Sequence, residues 1–172
     1  VIKLNSKEDE IDRYLNCLEL ELIRYKNIYG INNKILASSI LVGGGTPTLL
    51  PPKHMKKFFN IVHRHINMDN VLQFSYEGEP STLLGEVGAE RLTLMKNYGV
   101  NRVSYGVQAF NDDLLKRNGR HHNSAEALES IERTHQFGIN SVSIDLIYGL
   151  TGQSIEDWIK TLNIAVQSGA DA

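Results

Sequence analysis

Leu36-Ala37-Ser38-Ser39-Ile40-Leu41-Val42 runs directly into Gly43-Gly44-Gly45-Thr46. Pro51 and Pro52 then open an amphipathic stretch with Met55, Phe58, Phe59, Val62 and Ile66 on one face. The first segment reads as a strand and the last as a helix, since proline suits a first helical turn, where its missing N–H has no partner to lose. Three glycines between them exceed what a strand-to-helix turn requires, because one usually suffices. They expose backbone N–H and C=O groups with no side chains in the way, so a ligand's amine or carboxylate could approach closely. The segment lacks the Gly-Lys-Ser/Thr ending of a phosphate loop, which argues against a nucleoside triphosphate.

The same alternation continues outward. Upstream, residues 8–29 carry Ile11, Leu15, Leu18 and Leu22 at spacings that line one helical face. Downstream, 71–76 reads as a strand, and 86–98 as a helix through Val87, Leu92 and Met95 that stops at Gly99. A third strand follows at 101–107. Helical signals cover 111–117 and 124–137, with Asn111 and Ser124 as N-caps and Gly138 as the stop. A fourth strand covers 141–147. Ser154 caps a last helix, with Glu156 and Asp157 in its positive first turn and Ile155, Trp158, Ile159 and Leu162 expected inward. Lys56, Lys57, Arg64 and His65 read as a solvated helix face.

Strands that alternate with helices imply parallel pairing and right-handed crossovers. The fold class is therefore α/β, either a doubly wound sheet or part of a TIM-like (β/α) barrel. No Gly-x-Gly-x-x-Gly opens a helix after the first strand, so the dinucleotide-binding version lacks its signature. A complete eight-fold barrel takes about 250 residues, so 172 residues would make an arc of one. The chain begins Val1-Ile2-Lys3-Leu4 rather than with Met, and an excised piece of a longer chain is expected.

Composition narrows the function classes. Hydrophobic residues make up 41% and charged residues 22%, and the formal net charge is -2. No basic stripe suits a nucleic-acid backbone. No run of about 18 apolar residues could span a membrane. The opening residues carry no apolar signal segment, which points to the cytoplasm. Cys17 is the one cysteine, so neither an internal disulfide nor a cysteine metal cluster can form. His121-His122 and the His63, His65 pair have the wrong spacing for a helical metal site, and no metal ligand is assigned. Cys17 sits beside Leu15 and Leu18 and is expected to be a small buried hydrophobe.

The chemistry is expected at the strand ends. Thr46 follows the glycine turn, Glu77 ends the second strand, Gln108 follows the third, and Asp145 lies near the end of the fourth. In barrels and open α/β sheets that carboxyl edge is where ligands bind. Glu77-Gly78-Glu79-Pro80 offers two carboxylates that could do acid/base work or hold ligand hydroxyls. Strand alternation points them apart, which argues against a dyad and favours Glu77 inward with Glu79 at the rim. No single residue is assigned as catalytic.

Three motifs carry a resemblance. Leu-Val-Gly-Gly-Gly-Thr-Pro-Thr-Leu-Leu at 41–50, Gly-Val-Asn-Arg-Val-Ser-Tyr-Gly-Val-Gln-Ala-Phe at 99–110 and Ser-Ile-Asp-Leu-Ile-Tyr-Gly-Leu-Thr-Gly-Gln-Ser at 143–154 resemble the oxygen-independent coproporphyrinogen III oxidase family of radical S-adenosylmethionine (radical SAM) enzymes. Order and spacing match, over nearly the whole chain. The resemblance implies the central units of a partial (β/α)6 barrel with S-adenosylmethionine bound across the strand ends. It implies Gly44, Gly45 and Thr46 at the cofactor's methionine part, and Glu77, Gln108, Arg120 and Asp145 as further contacts. It also implies a [4Fe–4S] cluster in the intact parent, held by a Cys-x-x-x-Cys-x-x-Cys loop that lies upstream of a helix like 8–29 in the family. Residues 1–172 hold no such loop, so they are expected to form the central part of a radical SAM domain that is truncated at both ends and inactive alone. Many relatives are less acidic before the proline of Glu77-Gly78-Glu79-Pro80.

The function implied is oxidative decarboxylation of a porphyrinogen's propionates in heme biosynthesis, with a tetrapyrrole substrate and an electron-donor protein. A related radical SAM methyltransferase, an anaerobic heme-degrading enzyme and a heme chaperone of the same family are the alternatives.

Overall fold

The computed structural model describes residues 7–172; the opening Val1-Ile2-Lys3-Leu4 lies outside them. Helix α1 (Glu8–Ile28) comes first, followed by strands β1 (Ile35–Leu36) and β2 (Ser39–Val42). The chain continues through α2 (Pro52–His65), β3 (Ile66–Asn67), β4 (Gln73–Gly78), α3 (Gly85–Asn97) and β5 (Arg102–Gln108). It ends with α4 (Asp112–Arg117), α5 (Ser124–Gln136), β6 (Ser141–Leu146) and α6 (Ile155–Gln167).

Strands β2, β4, β5 and β6 form one parallel sheet in chain order, as the crossover rule requires. The expected strand over 36–42 is broken in two. Its first part, β1, pairs with β3 instead, because a 3-10 turn at Met68–Asn70 separates β3 from β4 and divides the ladder. The (β/α) arc is thus the observed architecture.

The two faces of the sheet differ in chemistry. Phe74, Tyr76, Val103, Tyr105 and Val142 are fully buried towards the helices, against Met55, Phe59, Leu92, Met95 and Ile131. Phe59 stands edge-on to Phe74 and stacks on Tyr98 at 5.1 Å. The Tyr105 hydroxyl meets Thr134 Oγ1 at 2.6 Å, which satisfies the polar end of a buried ring. The alternate positions hold Ser75, Glu77, Ser104, Gly106, Ser143 and Asp145. Register places Glu77 opposite Ser104, and Ser104 opposite Ser143. Small polar residues on that face leave an open hollow where a sheet core would be filled by apolar side chains.

Several expectations from the sequence are corrected. Ile155, Ile159 and Leu162 of α6 are exposed rather than inward; α6 meets the sheet through Thr161, Ile164 and Ala165, and Trp158 leans on Tyr148. Val87 is exposed, and its neighbour Gly88 is buried with Leu92 and Met95 on the inner face of α3. Asn123 rather than Ser124 caps α5; the Ser124 N–H and hydroxyl are held by Asp112 Oδ1 at 2.8 and 2.7 Å. Cys17 is exposed, because it lies off the face that Ile11 and Leu15 bury. Of the α2 residues read as solvated, Lys56 and Arg64 are exposed, whereas His65 is buried and meets Glu19 Oε1 of α1 at 3.1 Å, and half-buried Lys57 donates to Asp12 at 2.6 Å.

Candidate functional site

The carboxyl ends of β2, β4, β5 and β6 surround a cavity of about 190 Å³ lined by Gly45, Thr46, Glu77, Gly78, Glu79, Ser104, Gly106, Gln108, Arg120 and Asp145. Six of the seven residues singled out in the sequence line it. The seventh, Gly44, lies one residue before Gly45, and its N–H donates to Glu77 Oε2 at 3.2 Å.

Each lining residue has a local cause. Gly44 and Gly45 take φ of +92° and +72°, the left-handed region where a side chain is strained, so the backbone of the turn faces the hollow. Thr46 leads into a 3-10 turn at Pro47–Leu49, in which Thr48 is fully buried. The Thr48 hydroxyl oxygen accepts the Glu79 N–H at 3.3 Å and the Thr82 hydroxyl at 2.6 Å, and so braces the β4 exit against the glycine turn. Arg91 of α3 ties the same region by donating to the carbonyls of Leu50 and Thr82. At the end of β5 the register with β6 shifts between Tyr105 and Gln108, and Gln108 itself has φ +69°. A bulge of this kind re-aims a side chain. Gln108 is 8% exposed, and its Oε1 has no hydrogen-bond partner. A buried amide oxygen without a donor is unfavourable unless a ligand supplies one.

Glu79 was expected at the solvated rim, and the structure corrects this. It lines the cavity, but its Oε1 lies 2.8 Å from Nδ1 of buried His122 and its Oε2 accepts from Ser81. Burial raises the Glu79 pKa, while the hydrogen bonds from His122 and Ser81 outweigh it and hold the carboxyl below its ordinary value. Glu79 is thus engaged by His122 and Ser81. Glu77 and Asp145 remain as carboxylates open to a ligand, beside the Arg120 guanidinium.

The sequence reading missed His122, Thr48 and the small inner-face residues Gly78, Ser104 and Gly106. The strand alternation Val103-Ser104-Tyr105-Gly106-Val107 could have revealed the last two, since its large and small residues fall on opposite faces. Nothing in the sequence pointed to the His122 contact with Glu79, 43 residues away.

The donor set fits a ligand that carries hydroxyls, a positive group and a carboxylate. Glu77 and Asp145 accept hydroxyls or a cation, Gln108 Oε1 awaits a donor, Arg120 suits a carboxylate, and the glycine turn offers its backbone. S-adenosylmethionine carries all of these groups. A [4Fe–4S] cluster does not fit this chain: several thiolates must converge, and the sequence holds only Cys17, exposed on α1. Among the described residues no three His, Cys, Asp or Glu side chains are grouped to hold a metal ion. Nor, among them, is any helix long and apolar enough to cross a membrane.

Comparison with known proteins agrees with this geometry. A family model of the radical SAM superfamily matches residues 14–165. The heme chaperone HemW of Bacillus subtilis is 36% identical over 162 residues, which cover 94% of this chain and 41% of that protein. HemW of Haemophilus influenzae is 33% identical over 161 residues, covering 94% and 40%. The solved structure of coproporphyrinogen III oxidase (HemN) from Escherichia coli, described as a radical SAM enzyme, is similar with a TM-score of 0.80 and 26% identity; the match covers 96% of this chain and 37% of that one. Elp3 of Methanocaldococcus infernus, at TM-score 0.57 and 18% identity, shares the fold alone. The chain spans about two fifths of the length of the curated relatives it matches.

Proposed function

The chain belongs to the radical SAM superfamily, and on that premise we propose that its strand-end cavity binds S-adenosylmethionine in a protein that handles heme. The cofactors of the family are S-adenosylmethionine and a [4Fe–4S] cluster. Bound together, they supply the family's radical chemistry. The 172 residues are read as the central part of a radical SAM domain, with the cluster's thiolates supplied from outside them.

Gly44, Gly45 and Thr46 offer backbone groups to the methionine part of the cofactor. Glu77 and Asp145 accept its hydroxyls or ammonium group, and Arg120 takes its carboxylate. Gln108 receives a donor on Oε1. Their shared task is binding and orientation, which is what a protein contributes around a cofactor of this kind.

The finer reading is a heme chaperone of the HemW type. The observation that supports it is the 33–36% identity to proteins of that name across nearly the whole chain. A second reading is oxidative decarboxylation of coproporphyrinogen propionates, favoured by the TM-score of 0.80 to HemN. On that reading an electron-donor protein is a required partner. One experiment separates the two. The full-length polypeptide, purified without oxygen, is titrated with hemin by absorbance and then incubated with coproporphyrinogen III, S-adenosylmethionine and a reductant. Stoichiometric heme binding without loss of carbon dioxide supports the chaperone. Turnover of the porphyrinogen supports the oxidase. Absence of both heme binding and turnover would overturn the assignment to heme handling.

A further inference from the structure

His122 has a fully buried side chain with two contacts. Its Nδ1 lies 2.8 Å from Glu79 Oε1, and its Nε2 lies 3.0 Å from the carbonyl oxygen of Val107. Both neighbours are oxygen acceptors. A neutral imidazole has one N–H and one lone pair, so it can satisfy only one of them unless Glu79 carries a proton. Glu79 also accepts the Ser81 hydroxyl on its other oxygen, as an ionised carboxylate does. Its carboxyl is held below the ordinary value despite burial. The extra proton therefore sits on the ring, and the pair is a buried imidazolium with a carboxylate.

The position of this pair matters more than its strength. Glu79 lies two residues after Glu77, on the β4 exit. Val107 immediately precedes Gln108, whose left-handed backbone aims its amide into the cavity. His122 lies two residues after Arg120. One imidazole thus joins three loops, each of which carries a cavity residue. Other charged groups near the ring are Asp112 of α4, whose carboxylate is held by Ser124 and whose pKa is further lowered by His122, and the adjacent His121 and Arg120. Of the carboxylates, Glu79 is the one within hydrogen-bond distance.

We propose that the Glu79–His122 ion pair is a positioning clamp for S-adenosylmethionine, and that it aligns Gln108 and Arg120 by donating to Glu79 and to the Val107 carbonyl at once. This rests on the reading that the cavity binds S-adenosylmethionine. Neither residue is assigned a catalytic role. With a single ring N–H, either Glu79 or the Val107 carbonyl is left without a donor, and the β5 end is released from the β4 exit.

The test uses the full-length polypeptide, labelled with nitrogen-15 in histidine. At pH 7.5 both His122 ring nitrogens should give protonated shifts in the wild type. In Glu79→Gln, which keeps the shape of the side chain, the ring should become neutral. Calorimetric titration with S-adenosylmethionine at the same pH should then show affinity about tenfold weaker in the variant. His122→Gln added to Glu79→Gln should bring little further loss, because the two residues act as one unit.

A neutral wild-type ring at pH 7.5 overturns the proposal, and so does unchanged S-adenosylmethionine affinity in Glu79→Gln. Should Glu79→Gln fail to fold, the wild-type ring shifts and the affinity of His122→Gln decide the matter. A wild type that binds no S-adenosylmethionine at any pH overturns the functional reading and the coupling with it. The ring shifts then still report separately whether the pair is ionised.

Discussion

A Cβ built on Gly43 would fall 2.6 Å from Oε2 of Glu77, the oxygen that accepts the Gly44 N–H. The glycine turn after β2 and the carboxylate at the end of β4 therefore occupy one fit, with no room for a methyl group between them. Unlike Gly44 and Gly45, Gly43 has no positive φ, so close approach rather than backbone conformation demands glycine there.

Gly43→Ala should therefore act through Glu77. The methyl group must displace the carboxylate, while the sheet below is unaffected. S-adenosylmethionine affinity should fall roughly tenfold, and the urea midpoint should move little, since surface changes away from the core are usually within about 0.5 kcal/mol. Titration calorimetry on the full-length polypeptide checks this. Unchanged affinity would mean that the carboxylate position is irrelevant to the ligand.

Glu77→Ala should weaken S-adenosylmethionine binding by about 1–3 kcal/mol, the usual loss when a hydrogen bond to a charged group is removed. In that background Gly43→Ala should have almost no further effect, because nothing remains for the methyl group to displace. The double-mutant cycle isolates the coupling. Additive losses would show that Gly43 acts on some other group.

Stability should fall in acid below the ordinary carboxylate range. Burial raises the Glu79 pKa but its hydrogen bonds lower it further, and hydrogen bonds hold Asp112 and Asp157 down likewise. A group with a lowered folded pKa contributes stability that is present above its unfolded value and lost as pH falls through the folded one. The ordinary values are 3.8 for Asp and 4.5 for Glu. The loss should therefore begin below about pH 4.5 and grow towards pH 3. Urea midpoints at pH 5 and pH 3.5 measure it. An acid slope in Glu79→Gln equal to the wild type's would remove Glu79 from this account.

Most of the fold was legible because strand period and helix period differ, and because Asn111, Ser154, Gly99 and Gly138 mark boundaries chemically. The faces of the helices were less so. Ile155, Ile159 and Leu162 have helical spacing, but spacing says only that a face is apolar and not which element covers it. His65 looked solvated beside Lys56 and Arg64, and became buried because α1 returns Glu19 to it. At the site, strand-end polarity and the glycine turn found Gly44, Gly45, Thr46, Glu77, Gln108 and Asp145, while Arg120 came through the family resemblance. The Glu79–His122 pair was not legible, because it depends on loops 43 residues apart meeting in space.

Gly88 is a buried helical glycine, and Gly88→Ala should destabilise the chain. Helix propensity alone favours alanine by about 1 kcal/mol. A Cβ there, however, would lie 2.1 Å from the backbone carbon of Leu83 and 2.3 Å from its oxygen. Backbone cannot swing aside as a flexible side chain can, so α3 must separate from the 3-10 turn at Pro80–Leu83. Overpacking of this kind costs about 1–3 kcal/mol. A net loss of about 1 kcal/mol is expected from urea unfolding, and a gain in stability would show that the turn yields.

The 172-residue chain expressed alone should take up no stoichiometric [4Fe–4S] cluster. A cluster of this type needs several thiolates on one site, and the sequence offers one. That thiol, Cys17, is exposed on α1, among Leu20, Glu21, Arg24 and Tyr25 rather than at the strand ends. Carboxylates and imidazoles do not compensate, since among the described residues none are grouped for a metal ion. Anaerobic reconstitution with iron and sulfide, followed by desalting, should leave a colourless protein, and Cys17→Ser should behave identically. A polypeptide that also carries a three-cysteine loop should turn brown under the same treatment. Iron and sulfide analysis with an absorbance spectrum decides the point: four irons per 172-residue chain would show that these residues assemble a cluster site after all.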